Sequence, residues 1–141
     1  MNRVIRSLFA ITLSLSAADS VACSCAKVSA QQHYLDAGEV FLGKVIETKL
    51  ITETQSLGDQ EVSEGRVRAT ISVTKTLKGK DSQTREITDR VVDGANCGVG
   101  LFTGREYLFY LSKDQSISIC GGTKLYNEFS DKALIDEMLL Y

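Results

Sequence analysis

Proline is absent from this chain, and histidine occurs once, at His33. The missing proline points to no particular function, but the scarcity of histidine excludes a good deal. No His-x-x-x-His zinc pair can be built, and a Ser/His/Asp set would have to spend His33. That residue falls inside a short predicted helix with no chemical partners beside it, so it reads as an ordinary exposed or half-buried helical histidine. A basic patch is also missing, which argues against nucleic acid as a partner. Beyond the N-terminal leader no segment is apolar enough to span a bilayer. There are no repeats, no low-complexity tracts, no domain linker and no Asn-x-Ser/Thr sequon. The stretch "GVGLFTG" (98–104) is one residue off dinucleotide-binding spacing and precedes a strand, so it reads as a turn. No constellation for catalysis is present. A binding protein without a cofactor is expected, not an enzyme.

The first 22 residues have the order of an export signal. Arg3 and Arg6 make a positive start, "SLFAITLSLSAA" (7–18) is apolar, and Ser20-Val21-Ala22 places small residues where a signal peptidase reads. Cleavage between Ala22 and Cys23 is expected, with residues 23–141 as a single secreted domain, extracellular or periplasmic. Loss of Arg3, Arg6 and Asp19 leaves 14 basic against 17 acidic residues, a net charge of −3.

Four cysteines, Cys23, Cys25, Cys97 and Cys120, remain in that domain. An even count in a small exported domain favours disulfides. A Cys23–Cys25 bridge would be strained by its single intervening residue. The other two pairings both tie the N-terminus to distant parts of the chain, and each bridge is worth roughly 3–5 kcal/mol as a chain constraint. The rival is a Cys-x-Cys metal site, which would need further soft ligands. Oxidised cysteines leave no thiol nucleophile.

The periodicity is mainly that of strands. Ser29 and Gln32 form a capping box for a helix over Ala30–Ala37, with Gly38 as its C-cap. "EVFLGKVIETKLI" (39–51) reads as a strand buried on both faces at its start. "TETQSLGDQEVSEG" (52–65) reads as a long exposed hairpin loop. In 66–79, Val67, Ala69, Ile71 and Val73 alternate with Arg66, Arg68, Thr70 and Ser72, as in a half-buried strand. Residues 84–92 form a weaker strand, and 105–113 and 116–120 pair across a tight Asp114-Gln115 turn. Leu134, Ile135, Met138 and Leu139 make one stripe of a C-terminal helix capped by Ser130 or Asp131. Five strands with a helix before and after suggest a small closed barrel of the OB-fold type.

"CSCAKVSAQQHYLDAGEV" (23–40) resembles the mature N-terminus of the tissue inhibitors of metalloproteinases. Cys23, Ser24, Cys25, Ala26, Val28, Gln31, Gln32, Ala37 and Val40 stand in step with that family. "ISVTKTLKG" (71–79), "NCGVG" (96–100), "EYLFYL" (106–111) and "SISIC" (116–120) follow in the family's order. The resemblance implies a netrin-like domain over 23–141: mainly β, a five-stranded OB-fold-like closed barrel with a short N-terminal helix and a C-terminal helix. It also implies the pairings Cys23–Cys97 and Cys25–Cys120. Leu35 stands where the family usually has a cysteine of a third disulfide, and Lys27 and Ala30 replace prolines.

The function implied is inhibition of a zinc metalloprotease. The free amine and carbonyl oxygen of Cys23 would chelate the protease's catalytic zinc at the position normally open to water. Cys23 is thus a ligand for the target's metal, and the chain holds no metal of its own. Ser24 would enter the specificity pocket. Cys25, Ala26 and the segment Asp93, Gly94, Ala95 and Asn96 would extend the contact ridge. The expected partner is a zinc metalloprotease met by a monomer, with no nucleic acid. Two alternatives stand beside this reading. One is a non-inhibitory netrin-like binding module. The other is a lipoprotein anchored to a membrane through Cys23, although Ser20 occupies the lipobox position that favours leucine.

Overall fold

The computed structural model of the chain describes residues 23–92 and 97–140. The expected export signal therefore lies outside the described residues. Seven regular elements follow in order: α1 (Ala30–Asp36), β1 (Glu39–Leu57), β2 (Gln60–Lys78), β3 (Thr84–Arg90), β4 (Glu106–Leu111), β5 (Lys124–Leu125) and α2 (Glu128–Met138), with a 3-10 turn at Ile119–Gly121 before β5. The five strands form one antiparallel sheet in the order β3-β2-β1-β4-β5.

The expected closed barrel is corrected by this topology: among the described residues the sheet is open, with β3 and β5 at its two edges. The reason lies in residues 116–120. The Asp114-Gln115 turn does form, with Gln115 at φ 65° and Ser112 N–H donating to Ser116 O at 3.1 Å. The arm beyond it does not remain beside β4. Ser118 instead caps the 3-10 turn, accepting from the backbone N–H groups of Cys120 and Gly121. The strand predicted over 116–120 is therefore absent, and its place beside β4 is taken by Lys124–Leu125. Thr123 prolongs this short pairing with its side chain, accepting from Tyr110 N–H at 3.0 Å and donating to Tyr110 O at 3.1 Å. A strand of two residues has too few backbone groups to close a sheet onto β3.

The predicted loop 52–65 is also corrected. β1 and β2 continue through it as a two-stranded ribbon, paired from Thr52↔Gly65 to Leu57↔Gln60. The turn is the two residues Gly58-Asp59, with Gly58 at φ 65°, a conformation glycine adopts without steric cost and one suited to twisted hairpins. The segment reads as a loop because its side chains are polar. Its backbone is nonetheless satisfied by its own ladder.

The start of β1 is buried on both faces, as its continuous apolar run predicts. Val40 and Leu42 face one core with Tyr34, Leu77, Leu108, Tyr110, Ile135 and Met138, which is where both helices pack. Phe41 and Val45 face a second core with Ala69, Ile71, Ile87, Tyr107 and Phe109, against which Val99, Leu101 and Ile117 pack from the loops. The Phe41 and Phe109 rings stack at 4.9 Å. Each such buried side chain contributes roughly 1.5–3 kcal/mol over its exposed state.

The helix ends differ from their predicted caps. Ser29 accepts from Gln32 N–H at 3.1 Å, but the Gln32 side chain donates forward to Asp36 instead of back to the cap. Ala37, not Gly38, is the C-cap of α1; Gly38 donates to Leu111 O at 2.7 Å. The Lys78 ammonium closes the helix by donating to the carbonyls of Tyr34, Leu35 and Ala37 at 2.6–3.0 Å, a cation at the negative end of the dipole. At α2 the cap is Asn127, not Ser130 or Asp131. Asp131 is instead buried in the first turn, where it accepts from Asn127 N–H and from Lys124 Nζ. Of the predicted stripe, Ile135 and Met138 are buried and Leu134 packs at the core's margin, whereas Leu139 is the exposed C-cap.

Candidate functional site

Residues 23–29 have no regular secondary structure and no sheet partner, so tertiary ties must hold them. Cys23 is bonded to Cys97 and Cys25 to Cys120, with Cα–Cα separations of 5.6 and 5.1 Å. These are the two pairings that the family resemblance implies. Cys23 is half-buried, while Ser24, Cys25 and Ala26 are exposed. Ser24 is thus a surface residue between two bridged neighbours. The two anchors are themselves joined, since Ile119 N–H donates to Cys97 O at 3.3 Å. Asp93, Gly94, Ala95 and Asn96 lie outside the described residues.

The far side of the first bridge is held by residues that the sequence reading did not single out. Asp89, at the end of β3, is 2 % exposed. Its carboxylate accepts from the backbone N–H groups of Arg90 at 2.8 Å, Val99 at 2.9 Å and Gly100 at 3.0 Å. Burial of this carboxylate is tolerated because three backbone donors meet it, at least one on each oxygen. Tyr107 reaches the same loop from β4. Its hydroxyl donates to Gly100 O at 2.9 Å and accepts from Phe102 N–H at 3.1 Å. Burial pushes the Tyr107 pKa up, so the hydroxyl keeps its proton and remains a donor. β3 and β4, which are separated by β2 and β1 in the sheet, therefore both grip the loop that carries Cys97. One signal for Asp89 was present in the sequence. It shares the strand face of Ile87, so its charge sits at a core-facing position.

His33 plays no part in this arrangement. Its ring lies 5.9 Å from that of Tyr110 and against Gly122. A Cβ at Gly122 would come within 2.8 Å of the imidazole, and the residue's φ of 96° is a glycine conformation. This is a packing histidine. Among the described residues no group of three or more His, Cys, Asp or Glu side chains could hold a metal ion. Within the same residues no helix is long and apolar enough to cross a membrane.

The geometry is that of an exposed N-terminal segment stapled at two alternate residues to a clamped loop and a capped turn. Such a segment offers backbone groups in a fixed position, and contact with a partner would cost little ordering entropy. Compared with protein-family models, residues 21–133 match that of "Tissue inhibitor of metalloproteinase". No match to the chain was found among curated proteins.

Proposed function

The chain belongs to the tissue inhibitor of metalloproteinase family, a family of inhibitors rather than enzymes, and we propose that it acts as a secreted inhibitor of zinc metalloendopeptidases. In this reading the leader directs export and its removal after Ala22 frees the amine of Cys23. That amine and the Cys23 carbonyl oxygen close a five-membered chelate on the target's zinc, displacing the water that hydrolysis needs. Ser24 enters the pocket beside the metal. Cys25, Ala26 and residues 93–96 make the surrounding contact.

The observation that carries this reading is the pair of bridges at Cys23 and Cys25. They hold the first residues of the domain without burying Ser24. The cysteine sulfur serves as a staple, and the backbone of the same residue serves as the ligand. Serine and cysteine proteases offer no metal to that ligand and should be unaffected.

The test is chemical. An α-amino group has a pKa of roughly 7.7–8.0 and must shed its proton to bind zinc. Acetylating Cys23, or retaining one residue before it, should abolish most inhibition of an open-cleft zinc endopeptidase while leaving the melting curve unchanged. Equal inhibition by the native and extended proteins would replace chelation with a plain binding-module reading.

A further inference from the structure

Phe102 is 65 % exposed on the loop that leaves Cys97. Exposed aromatic rings are common on flexible segments, but this backbone is pinned. Phe102 N–H donates to the Tyr107 hydroxyl and its carbonyl accepts from Arg105 N–H at 3.2 Å. Two residues on, Gly104 N–H donates to Val45 O at 2.7 Å. Val92, 54 % exposed, extends the apolar surface. Gly100 lies between the two: a Cβ there would meet Val92 Cγ2 at 3.4 Å and Phe102 Cε2 at 3.7 Å.

From this we propose that Phe102, supported by Val92, is a specificity-determining anchor that seats in an apolar recess on the target protease beside its zinc cleft. The inference rests on the inhibitory reading above and adds a contact outside the Cys23 ridge. Two physical arguments select this occupant. Phe102 is the fifth residue after Cys97, so the two stand at most roughly 18 Å apart. The loop turns at Gly100, φ 73°, with the N–H groups of Val99 and Gly100 on the same Asp89 oxygen, so the separation falls short of that extended limit and brings the ring towards the edge of a standard interface, which covers about 800 Å² per partner, a patch of radius on the order of 16 Å. A rigid, amphipathically placed aromatic is also the residue type that dominates interface energy, because few rotamers are lost on docking. Phe129 is fully exposed too, but it sits on α2 and not on the loop that leaves Cys97.

The experiment compares the leader-processed protein with Phe102→Ala, Phe102→Gln and Phe129→Ala, measuring inhibition constants and dissociation rates against several zinc endopeptidases and a melting curve for each. Both Phe102 variants should weaken inhibition at least 30-fold, by unequal factors across the proteases and mainly through faster dissociation. Phe129→Ala should match the native protein. The glutamine variant keeps side-chain bulk and decides the matter if alanine lowers the melting temperature. Native-strength inhibition by both Phe102 variants overturns the anchor and leaves zinc chelation standing. An equal loss in Phe129→Ala also overturns it. Failure of the native protein to inhibit any zinc endopeptidase is a separate result, which removes the inhibitory reading and the anchor with it.

Discussion

The two halves of the β1–β2 hairpin share one hydrogen-bonded ladder and differ in almost everything else. At the root, Val40, Phe41, Leu42 and Val45 of β1 are buried between two cores, and β4 pairs along the outer side of the strand. Beyond Thr52 the ladder continues to Leu57↔Gln60, but the side chains reach solvent on both faces, with Leu57 65 % and Val62 45 % exposed. Backbone pairing alone therefore extends a ribbon without making it a source of stability. Exchange of water for intramolecular hydrogen bonds yields only about 1 kcal/mol each, whereas burial depends on neighbours the ribbon lacks. The bridged N-terminus belongs with the root. It lacks a ladder, yet covalent ties hold it to a loop that buried polar groups grip.

Breaking the ties at the root should have the largest effect. Replacing Cys25 and Cys120 together by serine opens the second bridge; with Cys23–Cys97 intact the loop it closes is about 25 residues, and chemical denaturation should show a loss of about 3–4 kcal/mol. A loss below about 1 kcal/mol would mean that the bridge does not constrain the unfolded chain. Next comes Asp89→Ala, which strands the N–H groups of Val99 and Gly100. It should cost about 2–4 kcal/mol and loosen the Cys97 loop, measured as faster amide exchange at those two residues.

A smaller effect is expected at Asp131, where the root meets α2. Burial works to raise its pKa, but hydrogen bonds from Lys124 and Asn127, the Lys124 charge and Ser130 hold it below the ordinary carboxylate value. A folded pKa below the unfolded one stabilises the protein above about pH 3.9, and that contribution is lost as pH falls through the folded value. Asp131→Asn should therefore cost roughly 1 kcal/mol at neutral pH. Melting curves of the two proteins should converge as the pH drops below that of a free carboxylate. A constant gap at every pH would place the effect elsewhere.

The smallest effect should come from the ribbon. Excising residues 54–63 and joining Glu53 to Glu64, which face each other across the ladder, through Asn-Gly should change stability by less than about 1 kcal/mol. A loss comparable to that of Asp89→Ala would show that the ribbon shares the root's packing.

What the sequence by itself determined are the features governed by local pattern. The start of β1, buried on both faces, follows from a continuous apolar run, and α1 from Ser29 and its capping signal. The alternation of Val67, Ala69 and Ile71 placed β2's inner face correctly. The cysteine order, read with the family resemblance, named both bridges. Only the tertiary structure decided the rest. The polar residues 54–63 carry no packing signal, because a self-paired ribbon needs none. "SISIC" has the composition of a strand, but the tie from Cys120 to Cys25 and the Ser118 cap draw it away from β4, so the sheet stays open. Asp89 and Tyr107 stand only 5 to 11 residues along the chain from the groups they hold, but they lie on strands before and after that loop, and no local spacing announces a loop gripped from two non-adjacent strands. Hydrophobic period is written along the chain; which segments compete for the same sheet edge is settled only when distant parts of it meet.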